Sequence, residues 1–134
     1  AQADDELWLD GLKVLVVEDN PTNRLVATRM LAELGASVDT AENGAEGVAQ
    51  ARSGAYDLIF MDIQMPIMDG VQATREIRAL SGPAARTPIV ATTANVLAHQ
   101  LETYRKSGMD GCVAKPISPG AILGEIARLA GRSA

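Results

Sequence analysis

Four places in the sequence put chemistry-bearing side chains directly after short apolar runs. Glu18-Asp19 follows "LKVLVV", Asp62 follows "YDLIFM", Thr92-Thr93 closes "PIVATT", and Lys115 closes "GCVAK". Three carboxylates brought together repel one another: two unit charges 4 Å apart interact by about 4 kcal/mol at an effective dielectric of ~20. Such a cluster must take up protons or hold a cation. All-oxygen ligands favour Mg²⁺, with Mn²⁺ as the alternative, over zinc. A carboxylate in such a site can act as a nucleophile toward phosphorus. A nearby lysine and metal then offset the charge on the transferring group.

This chemistry requires the four places to meet, and the pattern of the chain predicts that they do. The five apolar runs are Leu12 to Val17, Ala36 to Ala41, Tyr56 to Met61, Pro88 to Thr93, and Gly111 to Lys115. They alternate with segments of helical spacing. Ala27, Leu31 and Leu34 form one apolar stripe; Ala73, Ile77 and Leu80 a second; Leu97, Leu101 and Tyr104 a third; Ile122, Ile126 and Leu129 a fourth. The Ala-rich segment Ala45 to Arg52 completes the set of helices. Asn20-Pro21 and Ser118-Pro119 read as an N-cap followed by proline at the first helical position. Gly35, Gly54 and Gly108 stand where helices should stop.

Strict β-α alternation implies an α/β fold, a doubly wound five-stranded parallel sheet. Runs one, three and four are nearly continuous in apolar residues, as strands covered on both faces are. Runs two and five suit edges. The expected order is therefore 2-1-3-4-5, the flavodoxin-like (βα)5 arrangement. Its ligand site lies beyond the carboxyl ends of the strands, at the switch point. Topology alone gathers Glu18, Asp19, Asp62, the threonines and Lys115 there.

Composition narrows the classes. A chain of 134 residues suggests one domain, and 47% hydrophobic against 22% charged residues is that of an ordinary globular protein. The net charge of −5, with no Lys/Arg cluster, argues against direct nucleic-acid binding. No apolar run approaches a membrane span and no signal peptide is visible. A single cysteine, Cys112, excludes an intramolecular disulfide and suits the cytoplasm. One cysteine and one histidine, His99, cannot build a zinc site. His99 falls on the fourth helix and reads as a surface residue. No nucleotide-binding glycine motif is present. Residues 1–10 read as an acidic linker or extension in which Leu7, Trp8 and Leu9 could dock on the domain. The domain itself is expected over 11–131, followed by a tail at 132–134. The chain starts on Ala1, which fits a piece of something longer.

Four motifs, "VLVVEDNPTN", "DLIFMDIQMPIMDG", "TPIVATTAN" and "GCVAKPI", closely resemble the receiver domains of two-component response regulators, over about Leu12 to Leu129. The resemblance implies that Asp62 accepts a phosphoryl group from a phosphohistidine. It implies that Glu18, Asp19 and Asp62 bind Mg²⁺ with the backbone carbonyl of Gln64. It further implies that Lys115 contacts the phosphoryl group and that Lys115-Pro116 is a candidate cis peptide. The family's Ser/Thr-Ala pattern and the spacing to Lys115 assign the phosphate-binding hydroxyl to Thr93, with Thr92 as runner-up. The switch position three residues before the lysine usually holds Tyr or Phe; here it is Cys112.

"EDNPTN" with "MDIQMPIMDG" is most similar to receivers of hybrid histidine kinases. The implied partners are a histidine kinase or histidine phosphotransfer domain, either as a kinase domain upstream in the same full-length chain or, for a stand-alone receiver, as a separate protein. Such a domain catalyses its own phosphorylation and slow dephosphorylation but is not a turnover enzyme. Two rivals stand beside this reading. One is a degenerate receiver that binds partners without phosphorylation. The other is an aspartate-nucleophile phosphohydrolase, whose usual second acid is replaced here by Gln64.

Overall fold

The computed structural model describes residues 9–94 and 98–130, the side chains of residues 98, 99 and 130 excepted. Leu7, Trp8, Leu97 and the His99 side chain therefore lie outside the described residues. Five strands, β1 (Lys13–Val17), β2 (Ser37–Ala41), β3 (Leu58–Asp62), β4 (Ile89–Thr93) and β5 (Gly111–Ala114), form one parallel sheet in the order β2-β1-β3-β4-β5. The helices between and after them are α1 (Pro21–Glu33), α2 (Gly44–Ser53), α3 (Gly70–Arg78), α4 (Ala98–Ser107) and α5 (Pro119–Ala130). A short 3-10 turn, Pro83–Arg86, precedes β4 and has no counterpart in the sequence reading.

Strands β3 and β4 are buried at every residue. Their side chains alternate between two apolar layers, as a period of two requires. Val14, Val16, Leu58, Phe60 and Val90 pack with Ala27 and Leu31 of α1 and Ile122 and Ile126 of α5. Leu15, Val17, Ile59, Met61, Ile89 and Ala91 pack on the other face with Val48, Ala73, Ile77 and Tyr104. Leu9 belongs to the first layer, fully buried, and its N–H donates to the Leu34 carbonyl at 2.8 Å.

Expected boundaries hold to within one or two residues. The one shift with chemical meaning is at β3, where Asp62 is the last strand residue rather than the first loop residue, so its backbone is fixed by the sheet. Asn20 caps α1 by accepting from the Asn23 N–H at 3.0 Å, and Ser118 accepts from the Ala121 N–H at 3.3 Å. Gly35 and Gly108 adopt the left-handed conformation at φ 103° and 111°, where glycine is favoured. Gly54 also ends a helix, but at φ −100°. One expectation is corrected: Leu101 is 39% exposed and does not extend the apolar stripe of α4, where Tyr104 supplies the burial instead.

Gly70 is required by close approach. It opens α3 directly behind the site, its N–H donates to the Ile63 carbonyl at 2.9 Å, and an added Cβ would collide with the backbone carbonyl of Asp62. Gly70→Ala is therefore expected to destabilise the domain by about 1–3 kcal/mol, the usual cost of overpacking against backbone that cannot yield. A lowered urea midpoint at unchanged slope checks this.

Candidate phosphoacceptor and metal site

The sheet delivers its chemistry at the carboxyl ends of β1, β3, β4 and β5. Asp62 is 2% exposed, Glu18 is 5% exposed, and Asp19 faces solvent. One carboxylate oxygen from each of the three lies within 4.8 Å of the others. Lys115 follows β5 and reaches across the sheet end. Its ammonium donates to Asp62 Oδ1 at 2.9 Å and pairs with Glu18 Oε1 at 3.1 Å. The Lys115-Pro116 peptide is cis, as the resemblance implied.

The loops around these groups are shaped by side chains as well as backbone. Glu18 Oε2 accepts from the Asn20 N–H at 3.1 Å. The Arg24 guanidinium, one turn into α1, donates to the carbonyls of Glu18 at 2.9 Å and Asp19 at 3.4 Å. Arg24 escaped the sequence reading because an arginine on a helix ordinarily faces water. After Asp62, the Gln64 N–H returns to Asp62 Oδ1 at 3.3 Å. The loop then makes a tight turn in which the Met68 N–H donates to the Pro66 carbonyl at 2.7 Å. Ile67 lies at its centre at φ 71°, strained for a β-branched residue and 83% exposed. Asp69 caps α3 by accepting from the Gln72 N–H at 2.8 Å, so Pro66 and Asp69-Gly70 serve the loop and the helix start.

Asp62 Oδ2 is buried and has no hydrogen-bond partner among the described residues. The Asp62 carboxyl is pushed up to about 7, first by burial, with Glu18 raising it further and Lys115 holding it down. The Lys115 ammonium is disfavoured by burial, but its bonds to Asp62 and Glu18 prevail and raise its pKa. The donor set therefore fits a hard divalent cation: three carboxylates, one of them with an orphaned buried oxygen, against a single lysine.

Thr92 pairs with Asp62 in the register of β3 and β4. It lines a 360 Å³ cavity under α1 together with Glu18, Val26, Phe60 and Lys115. Thr93 lies one residue nearer the strand end. Its carbonyl accepts from the Lys115 N–H at 2.9 Å, and its hydroxyl lies 3.4 Å from the Tyr104 phenol. Cys112 stands opposite Ala91, half-buried, with its thiol pKa raised by burial and secondarily by Glu125.

Comparison with known proteins agrees with this geometry. Residues 14–127 match the response regulator receiver domain family. Among curated relatives, the aerobic respiration control sensor protein ArcB of Escherichia coli is 40% identical over 119 residues, covering 89% of this chain and 15% of that protein. Histidine kinase 5 of Arabidopsis thaliana is 37% identical over 131 residues, covering 79% of this chain and 14% of that protein. The chain thus spans about one-seventh of the length of these relatives. Among solved structures, the receiver domain of a sensor histidine kinase from Pseudomonas aeruginosa PAO1 is 40% identical with a TM-score of 0.83, over 90% of this chain and 98% of that one. That structure holds a magnesium ion in its active-site cleft. By fold, site and sequence, the chain belongs to the response regulator receiver domain family, the phosphoryl-accepting module of two-component signalling, and is homologous to the receiver regions of hybrid histidine kinases.

Proposed function

We propose that Asp62 is the phosphoacceptor and that the donor is a phosphohistidine on a histidine kinase or phosphotransfer domain. One observation carries this reading: a buried strand-end carboxylate, with one oxygen on Lys115 and the other orphaned, faces two further carboxylates. A carboxylate oxygen of Asp62 attacks phosphorus, the new O–P bond forms as the N–P bond breaks, and the imidazole, already protonated on its other ring nitrogen, takes the bonding pair and leaves neutral. Lys115 and the Thr93 hydroxyl bind the phosphoryl oxygens. Glu18, Asp19, Asp62 and the Gln64 carbonyl would hold Mg²⁺. When bound, Mg²⁺ supplies positive charge that keeps Asp62 ionised and offsets charge on the transferring group.

The phosphoryl group then biases an equilibrium between inactive and active conformations that regulates an attached or separate partner. The similarity to receiver regions of hybrid histidine kinases supports such a kinase as the setting, and the single cysteine suits a cytoplasmic location. No helix among the described residues is long and apolar enough to cross a membrane. All the side chains that the chemistry needs are present, so nothing favours a docking module indifferent to phosphate.

The test uses the purified chain and a phosphorylated histidine phosphotransfer domain. Stable label is expected on this chain in millimolar Mg²⁺, with loss of nearly all transfer in excess EDTA. Equal transfer in both conditions would contradict the metal assignment.

A further inference from the structure

The Tyr104 phenol is a buried polar group brought to the site by a helix rather than a strand. Tyr104 is 4% exposed and Thr93 5% exposed, and their hydroxyl oxygens are 3.4 Å apart. A buried phenol is ordinarily hydrogen-bonded. Long helical side chains lean toward the helix N-terminus. Near the end of α4, this lean aims the ring at the carboxyl end of β4. The backbone of Tyr104 is held as well: its carbonyl accepts from the Ser107 hydroxyl at 2.6 Å and the Met109 N–H at 3.2 Å. Cys112, at the expected switch position, packs against the apolar layer that contains Tyr104 and carries no hydroxyl of its own.

We propose that Tyr104 is a positioning residue: it donates to Thr93 Oγ1, turns the Thr93 proton toward a phosphoryl group on Asp62, and so ties helix α4 to the state of the site. The inference rests on the reading of Asp62 as acceptor. Between two neutral hydroxyls either oxygen can donate. A phosphoryl oxygen only accepts, so Thr93 must donate to it. Thr93 Oγ1 is then left as an acceptor, and the phenol becomes the donor. The chain phenol–threonine–phosphoryl has one direction, and each bond polarises the next. Occupancy of the site thereby tightens the link between β4 and α4.

The chain has two tyrosines, Tyr56 and Tyr104, which makes the test direct. Protein carrying 3-fluorotyrosine is titrated with beryllofluoride in Mg²⁺, following both fluorine resonances and the backbone amides of Asp62 and Thr93. The Tyr104 resonance is expected to move by more than its linewidth while Tyr56 stays in place. Tyr104→Phe should weaken beryllofluoride binding about two- to tenfold, the scale of one neutral hydrogen bond. Thr93→Val should weaken it at least as much, Thr93→Ser should restore it, and Tyr104→Phe should add nothing in the Thr93→Val background. A merely structural tyrosine would alter the urea midpoint but give additive effects in that cycle. If the Asp62 amide moves while Tyr104 does not, or if Tyr104→Phe binds as tightly as wild type, the positioning role is overturned. If the Asp62 amide itself is unmoved, the acceptor reading fails and this inference with it.

Discussion

Asp62→Asn is expected to abolish phosphoryl acceptance while making the metal-free domain more stable. The loss follows from removing the nucleophilic oxygen: Glu18 is also buried and paired with Lys115, but its second oxygen accepts from the Asn20 N–H, whereas Asp62 Oδ2 has no hydrogen-bond partner among the described residues. The gain follows from linkage. In the fold Asp62 keeps its proton to about pH 7, whereas the unfolded chain releases it near pH 4. Between those values the folded state binds more protons than the unfolded state, so this group makes stability fall as pH rises. An amide carries no such penalty. The variant should exceed wild type by about 4 kcal/mol at pH 8, with the difference closing below roughly pH 4. Urea midpoints at the two pH values measure it. On the proposed metal assignment, millimolar Mg²⁺ should narrow the gap at pH 8, because an ion held by the folded wild type and not by the unfolded chain stabilises the fold.

Lys115→Met should act in the opposite direction on stability and lower the transfer rate. It keeps the aliphatic stem and deletes the ammonium that bridges Glu18 and Asp62 at 3.1 and 2.9 Å. Two buried carboxylates are then left against each other. Removing one partner of a buried ion pair costs about 3 kcal/mol or more, so metal-free stability near pH 8 should drop by that order. Transfer from phosphohistidine should slow by roughly 10²- to 10³-fold, the scale of losing one preorganised charge at a developing oxyanion. Mg²⁺ should recover much of the stability and little of the rate, since an ion held by the carboxylates would offset their charge but would not supply the ammonium that Lys115 brings to the phosphoryl group. Equal rescue of both would place Lys115 outside the transfer step.

The sheet was legible because burial on both faces writes itself as unbroken apolar runs. "LIFM" and "IVA" leave no alternative face, and the polar second run marks an edge. The acidic pair, Asp62 and Lys115 were legible for the same reason, since parallel strands all point their carboxyl ends one way. Features that depend on what a side chain reaches were not legible. Arg24 has the spacing of a surface arginine, yet it holds two loop carbonyls. Tyr104 read as one apolar position in a stripe, yet its hydroxyl meets Thr93. Leu101 read as core and is exposed, because a stripe predicts the average face of a helix and not its local rotation against the sheet. The strained turn at Ile67 left no signal, since the left-handed conformation is one that glycine and asparagine, not isoleucine, advertise.

The central claim is that Asp62 is the residue that carries the phosphoryl group. It is tested most directly by phosphorylating the chain in Mg²⁺, reducing the acyl phosphate with borohydride, and locating the product by peptide mass spectrometry. The account predicts conversion of residue 62, and only residue 62, to homoserine, with none in EDTA. Homoserine at Asp19 or another aspartate, the five-carbon alcohol 2-amino-5-hydroxypentanoate at Glu18, or label on residue 62 that forms equally without a divalent cation, would contradict it.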